Sequence, residues 1–312
     1  MKAFITGITG FVGGHLAEHL LATGDEVMGL STSGRWPERT PDELVRHVRL
    51  VQGDLSSDEM LQSLNQAARD FAPDCVYHLA AISVPSECGG AEPTPRAIAA
   101  NVDGTRRVLE WAAARSIRVL VVSTSHVYAQ PSSRDARASE DDPPRPKNAY
   151  GTTKLLAERI ALEVVRAGHV DAIVARAFQH TGPRQGGRMM LPEWSAQLAS
   201  GADKITVRNR DTWIDLSDVR DVVRAYRLLV EHGRRGEIYN VGSGVPRRTG
   251  DILGQLIQLA GRAVEVEEKT PGERFDAIAA IGKIQQVTAW QPEVPIEQTI
   301  RDVWAWHTNP KR

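Results

Sequence analysis

Cysteine is scarce in this sequence. Among 312 residues only Cys75 and Cys88 carry thiols, too few for a disulfide framework. Cys75 also falls inside an apolar, strand-like stretch. Long apolar runs are missing too, and none approaches membrane-spanning length. Neither sign of charge dominates: Lys and Arg total 38 against 39 Asp and Glu, a net charge of −1. With no basic block, nucleic-acid binding has no electrostatic footprint. The opening MKAFITGITG holds one lysine and a short apolar stretch broken at Gly7, which reads as a strand and not as a signal peptide. Metal ligands are not gathered: His15 and His19 share a helix face with no third ligand in view. Ser123 and Ser125 lack the partnering base pattern of a hydrolase. These absences predict a reduced, cytoplasmic, globular protein with no metal and no nucleic-acid or membrane partner. The length suits one large domain or two closely joined ones.

What is present is a rhythm. Short β-branched runs at 3–6, 26–30, 48–53, 75–79, 119–123 and 172–176 alternate with helical patterns at 11–22, 58–68, 98–114 and 149–167. Nearly continuous apolar strands in βαβ order predict an α/β fold, a doubly wound parallel sheet covered on both faces. A helix over 217–231 and a strand over 238–241 would rejoin it. The expected division is a nucleotide-binding domain of residues 1–177 plus roughly 209–244. A smaller discontinuous C-terminal domain takes 178–208 plus 245–312. Residues 134–147, rich in charge and proline, read as a surface loop. Trp304 and Trp306 read as packing residues, and the closing TNPKR as a frayed end. No internal repeat is evident.

The first strand empties into Gly7-Ile8-Thr9-Gly10-Phe11-Val12-Gly13 and then a helix. Glycines there permit a tight turn and let a diphosphate approach backbone N–H groups at a helix N-terminus. Gly7, Gly10, Phe11, Val12 and Gly13 are therefore the expected dinucleotide cradle. The second strand ends in Ser31-Thr32-Ser33-Gly34-Arg35, without the acidic residue that grips the ribose 2′-hydroxyl of NAD. Ser31, Thr32 and Arg35 could instead receive a 2′-phosphate, which favours NADP and leaves NAD possible. Asp54, after the third strand, suits either an adenine contact or a helix cap.

Tyr150 and Lys154 stand four apart on a predicted helix and share a face. A phenol titrates near ~10 and is a poor base at neutral pH. A neighbouring ammonium and an oxidised nicotinamide would favour the phenolate and lower that value. Thr124, in the strand-end sequence STSHVYA, could hydrogen-bond the same substrate oxygen.

GITGFVG, GDLSS, YHLAA, NVDGT, STSHVY and YGTTK together resemble the motif series of the extended short-chain dehydrogenase/reductase family, in its NAD-dependent epimerase/dehydratase group. ARAFQHTGPRQ, WIDLSDVRDVVRAY, GEIYNVGSG and TAWQPEVPIEQTI resemble its nucleotide-sugar branch. They are most similar to GDP-mannose 4,6-dehydratases and GDP-4-keto-6-deoxy-D-mannose reductases. The resemblance covers essentially the whole chain. It implies a triad of Thr124, Tyr150 and Lys154, and it adds Leu55, Leu79, Ala80, Ala81 and His180 to the cofactor contacts, along with Tyr150 and Lys154 themselves. It also implies a homodimer built from the helices at 98–114 and 149–167.

His126 falls where the resembled dehydratases carry a glutamate, the base that removes a proton beside the transient keto group. Its presence speaks against dehydration, and a reductase does not need that base. Ser125, His126 and Gln179 are the expected substrate contacts, with Arg184, Arg188, Arg210 and Arg274 as candidates for its phosphates. Three positions depart from the family pattern. Asp211 stands at an expected arginine, Gln179 at an expected asparagine, and Ala279-Ala280-Ile281-Gly282-Lys283 replaces Asp-x-Ser-Lys. A carboxylate at 211 would repel a diphosphate. The resemblance thus implies an NADP-preferring oxidoreductase reducing the 4-keto group of a 4-keto-6-deoxy nucleotide sugar, GDP-linked. A nucleotide-sugar 4-epimerase and a GDP-mannose 4,6-dehydratase are the neighbouring readings. A non-catalytic NADP-binding sensor is the reading of another class.

Overall fold

The computed structural model describes residues 1–57 and 59–309. Seven strands form one sheet, in the spatial order Arg49–Gln52, Glu26–Ser31, Lys2–Thr6, Cys75–His78, Arg118–Thr124, Ala172–Ala177 and Ile238–Val241. Every neighbouring pair is parallel. Parallel strands need crossover helices, and these cover both faces. Phe11–Ala22 and Val219–His232 pack on one side with Leu16, Leu20 and Leu229 fully buried. Met60–Phe71, Gly104–Ala113 and Ala149–Arg166 cover the other, around Phe4, Val119 and Val174. Each buried Leu or Val side chain contributes roughly 1.5–3 kcal/mol. The strand order reverses between Lys2–Thr6 and Cys75–His78, which opens a crevice beyond their C-terminal ends.

A smaller layer sits over that crevice. Thr212–Asp218 pairs antiparallel with Pro246–Arg248 and parallel with Arg274–Phe275 and Gln179–Thr181. Its own core gathers Trp194, Leu198, Ile214, Leu256 and Ile300. The chain returns to the large sheet in Val219–His232, and Gly282–Thr288 later packs against the same region through Ile284.

Several elements differ from the sequence expectation. Ser217 is not helical: it lies in the strand Thr212–Asp218. The helix starts at Val219 because Asp218 is extended and its carboxylate accepts from Arg220 N–H at 2.8 Å. The helix expected over 98–114 is broken into Pro95–Ile98, a π-helical turn at Ala99–Asp103, and Gly104–Ala113. That turn aims Asn101 inward. The helix expected from 58 runs over Met60–Phe71, and Asp58 lies outside the described residues. The charged stretch 134–147 is partly docked: Arg137–Ala138 pairs with Ile278–Ala279, and Ala138 is buried. The last helix, Ile296–Thr308, reaches into the expected frayed end, whose residues 310–312 lie outside the described residues. Cys75 and Cys88 are both buried and free. Among the described residues no helix is long and apolar enough to cross a membrane.

Candidate active site

The glycine turn is built as a cradle. Gly7 has φ +74°, and a Cβ there would meet the Ala80 backbone at 2.9 Å. A Cβ on Gly13 would fall well inside 3.0 Å of Gly7 O. Both positions therefore require glycine. Gly10 precedes the helix Phe11–Ala22 with no side-chain cap, so the first helical N–H groups are left for a ligand, at the positive end of the helix. These residues line a cleft of about 580 Å³ whose facing wall is Leu79, Ala80 and Ala81. The donor set and the room fit a dinucleotide. His180 stacks on Phe11 at 6.2 Å and donates from Nδ1 to Phe178 O at 2.8 Å, and both rings face the same cleft.

A buried polar chain supports the cradle from below. Thr105 donates to Asn101 O at 2.7 Å, so it must accept from His78 Nε2–H at 2.9 Å. His78 Nδ1 is then an acceptor, filled by Thr6 Oγ1 at 2.8 Å. Burial holds the His78 imidazole down at about 3, so it stays neutral. Asn101 in turn bonds both backbone groups of Ile82 and donates to Thr153 Oγ1 at 3.0 Å. The π-helical turn thereby ties the fourth strand's exit to the helix of Tyr150.

That helix, Ala149–Arg166, is capped by Asn148, whose Oδ1 accepts from Gly151 N–H at 2.8 Å. Tyr150 and Lys154 point into the cleft beside Thr124, the last residue of its strand. Thr124 stands beside the Tyr150 phenol in the cleft and favours its ionised form. The expected lowering of the tyrosine does not occur in the protein alone. Burial pushes the phenol up to about 12, and Thr124 offsets this only in part. Tyr150 is thus a proton donor at neutral pH. Burial also pulls Lys154 down to about 8, with Glu158 one turn along opposing the shift. Glu158 itself is held in a buried ion pair with Arg176 at 2.8 Å and accepts from Ser123. Arg176 continues to the Tyr128 hydroxyl at 2.9 Å, which donates to Asn240 Oδ1 at 2.7 Å.

The expected sites divide by location. Ser125, His126, Gln179 and Arg188 line the cleft with the triad. His126 stands edge-on to Tyr150, ring centroids 5.5 Å apart, and its Nδ1 is 2.9 Å from Asn148 Nδ2. Gln179 donates to Asp276, which Lys147 also holds. Arg188 reaches Glu87 at 2.6 Å from the loop on the other rim. Three arginines are elsewhere. Arg184 is bound to Glu18 and His15 and lines a separate hollow. Arg210 pairs with Glu268 at 2.7 Å. Arg274 lies on the strand beside Thr212, off the cleft wall. The carboxylate of Asp211, expected to repel a diphosphate, is tied to Arg248 at 2.7 Å.

Other cofactor candidates stand beyond the cleft wall. Ser31 is buried and accepts from Gly34 N–H at 3.2 Å. Arg35 is exposed, and among the described residues its guanidinium makes no hydrogen bond or ion pair. Asp54 accepts from Ser56 N–H and Oγ–H at 2.9 and 2.7 Å, which lowers its carboxyl, so its oxygen serves the local turn. Leu55 is buried under Gly104 and its carbonyl accepts from Arg107 at 3.0 Å. Sequence reasoning missed Asn101, Asn148 and Tyr226. Asn101 sat visibly in NVDGT. Asn148 preceded the Tyr150 helix as an ordinary cap residue. Tyr226 lines the cleft from the opposite face, where no local pattern marks it.

The chain is similar to known proteins along nearly its whole length. A GDP-6-deoxy-D-mannose reductase from Pseudomonas aeruginosa is 28% identical over 313 residues, covering 97% of this chain and 95% of its own. The solved structure of RMD from Pseudomonas aeruginosa complexed with NADPH superposes with a TM-score of 0.83 at 26% identity, over 99% of this chain and 100% of that one. A mutant of the UDP-glucuronic acid 4-epimerase from Bacillus cereus, in complex with NAD, gives 0.85 at 25% identity over 99% and 100%. The model of the NAD dependent epimerase/dehydratase family matches residues 3–242. The chain belongs to that family and is an NAD(P)-dependent enzyme.

Proposed function

We propose that the protein reduces the 4-keto group of a GDP-linked 4-keto-6-deoxy sugar with NADPH. The observation that carries this reading is that Thr124, Tyr150 and Lys154 line one cleft with the glycine turn, with the Tyr150 phenol held protonated at neutral pH by burial. Bound NADPH contributes hydride donation. Tyr150 gives its proton to the alkoxide oxygen at C4, and Thr124 orients that oxygen. Lys154 holds the ribose and supplies a positive field to Tyr150. Ser125, His126, Gln179 and Arg188 contact the sugar nucleotide. In this reading Arg184, Arg210 and Arg274 have no part, since they lie off the cleft.

The GDP-linked substrate rests on similarity to the Pseudomonas reductase. NADP preference rests on the missing acid after the second strand and on the unpartnered Arg35 guanidinium near Ser31. The large sheet serves the cofactor and the smaller layer the sugar. We place the enzyme in the cytoplasm, where two buried thiols remain reduced. We also propose a homodimer through the outer faces of Gly104–Ala113 and Ala149–Arg166. Arg106 and Glu110 are exposed on the first, Arg159 and Glu163 on the second, and the four are self-complementary in charge. A 4-epimerase of nucleotide sugars is the second reading, favoured by the same triad and by the Bacillus relative. Calorimetric titration with NADPH, NADH, GDP and UDP separates them. Tight NADPH with GDP supports the reductase; tight NADH with UDP in place of GDP overturns it.

A further inference from the structure

His126 is read here on top of the keto-sugar function just proposed, and its chemistry follows from its neighbours. A backbone N–H can only donate. The oxygen that accepts from Gly151 N–H is therefore Asn148 Oδ1, and the other end of that amide is Nδ2. Nδ2 can only donate, and it faces His126 Nδ1 at 2.9 Å. The Nδ1 lone pair is thus consumed, and the ring proton resides on Nε2. Among the described residues Nε2 makes no hydrogen bond and is not sealed off, while the ring lines the cleft beside Tyr150.

We propose that His126 is a fixed hydrogen-bond donor to a substrate oxygen and cannot act as a base. Removing a proton needs a lone pair facing the substrate, and the only lone pair of this tautomer faces Asn148. Dehydration by His126 is thereby closed off by geometry and not only by residue type. Burial and the Lys147 cation hold the imidazole down at about 4, so it stays neutral where the enzyme works. The Asn148 contact and the Asp276 carboxylate, paired with Lys147 at 2.8 Å, oppose this shift and offset it only in part. Gln179 shows the opposite polarity. Its Nε2 is spent on Asp276, which leaves Oε1 as an acceptor. The cleft wall therefore offers a donor at 126 and an acceptor at 179, a pairing suited to a hydroxylated sugar.

The test is imidazole nitrogen NMR on the intact protein, with His126→Gln identifying the resonance by its loss. The expected pattern is a neutral Nε2–H ring, unchanged between about pH 5.5 and 8. Asn148→Asp keeps the helix cap but presents an acceptor to Nδ1, and it should switch the ring to an Nδ1–H or cationic pattern. An Nδ1–H or cationic ring in the wild type overturns the proposal. The donor role is read in steady-state kinetics on the keto sugar that the wild type turns over. His126→Leu should raise KM about tenfold with kcat within threefold, and His126→Gln should restore most of it. An unchanged KM in His126→Leu overturns the donor assignment. The NMR readout needs no substrate, so absence of turnover would count against the proposed reductase function and leave the tautomer result standing.

Discussion

The backbone of Gly151 lies against the carbonyl of His126 so closely that any side chain at 151 would collide with it. A Cβ built there falls well inside 3.0 Å of that oxygen. The contact presses the first turn of the Tyr150 helix onto the turn after Thr124. It sets the distance between the proton donor and the residue that orients the substrate oxygen. Gly151→Ala should force the first turn of the helix away from His126, and kcat should fall on the order of 10²-fold from misplacement of Tyr150. Circular dichroism alongside kinetics checks this, and full activity in the variant would contradict it.

Lys154 gives the pH dependence a direction. Its folded value lies below the ordinary lysine range, at about 8, so the cation is lost as pH rises through that point. Activity that needs the ammonium should be full below about pH 7 and decline above about 8. Lys154→Arg, if it retains turnover, should show no such decline, since a guanidinium stays charged. A flat wild-type profile through this window would remove Lys154 from the mechanism.

Glu158 and Arg176 form the buried ion pair beneath the catalytic helix, with both side chains almost wholly enclosed. Glu158→Gln leaves the arginine charge buried without its counter-charge. Stability should fall by about 3–5 kcal/mol, measured by urea unfolding. Lys154 should titrate lower still, because Glu158 is the group that supports its proton. The pH limb assigned to Lys154 should then move down.

Arg188 and Glu87 meet across the cleft rim, and both are exposed. Such a pair contributes at most about 1 kcal/mol. Arg188→Ala should therefore leave thermal stability nearly unchanged while raising KM several-fold, with the effect shrinking at high salt. A large loss of stability with unaltered KM would make Arg188 a structural residue.

Arg35 tests the cofactor preference. Arg35→Ala should weaken NADPH binding about tenfold, or ~1.4 kcal/mol, and leave NADH binding unchanged, as measured by fluorescence titration. Equal loss for both cofactors would show that the guanidinium does not read the 2′-phosphate.

What was legible in the sequence was local. The helix Phe11–Ala22 and the strand Ile238–Val241 were placed to the residue, because a glycine turn fixes the first and glycines at 236 and 242 bracket the second. The glycine turn between strand and helix, and the shared helix face of Tyr150 and Lys154, were readable from spacing and context together, since one turn or one helix carries each. Contacts between distant segments were not. The ion-pair partners of Arg184 and Arg210 could not be read locally, since Glu18 lies far earlier in the chain and Glu268 far later. The tyrosine is expected to be acidified beside a lysine and an oxidised nicotinamide; in the protein alone burial raises it. Ser217 and Asp218 precede a strongly amphipathic helix, and only strand pairing with Gln179–Thr181 shows that they belong to the sheet. The tautomer of His126 was beyond the sequence, because it depends on a backbone N–H three residues past Asn148.

The most direct measurement follows deuterium. Purified protein is given NADPH deuterated at its transferable position and a GDP-linked 4-keto-6-deoxy sugar, and the product is examined by mass spectrometry and NMR. The account predicts one deuterium at C4 for each NADPH consumed, and on the order of 10²-fold or greater loss of rate in Tyr150→Phe. Product formed without net NADPH consumption, or turnover by Tyr150→Phe equal to the wild type, would contradict it.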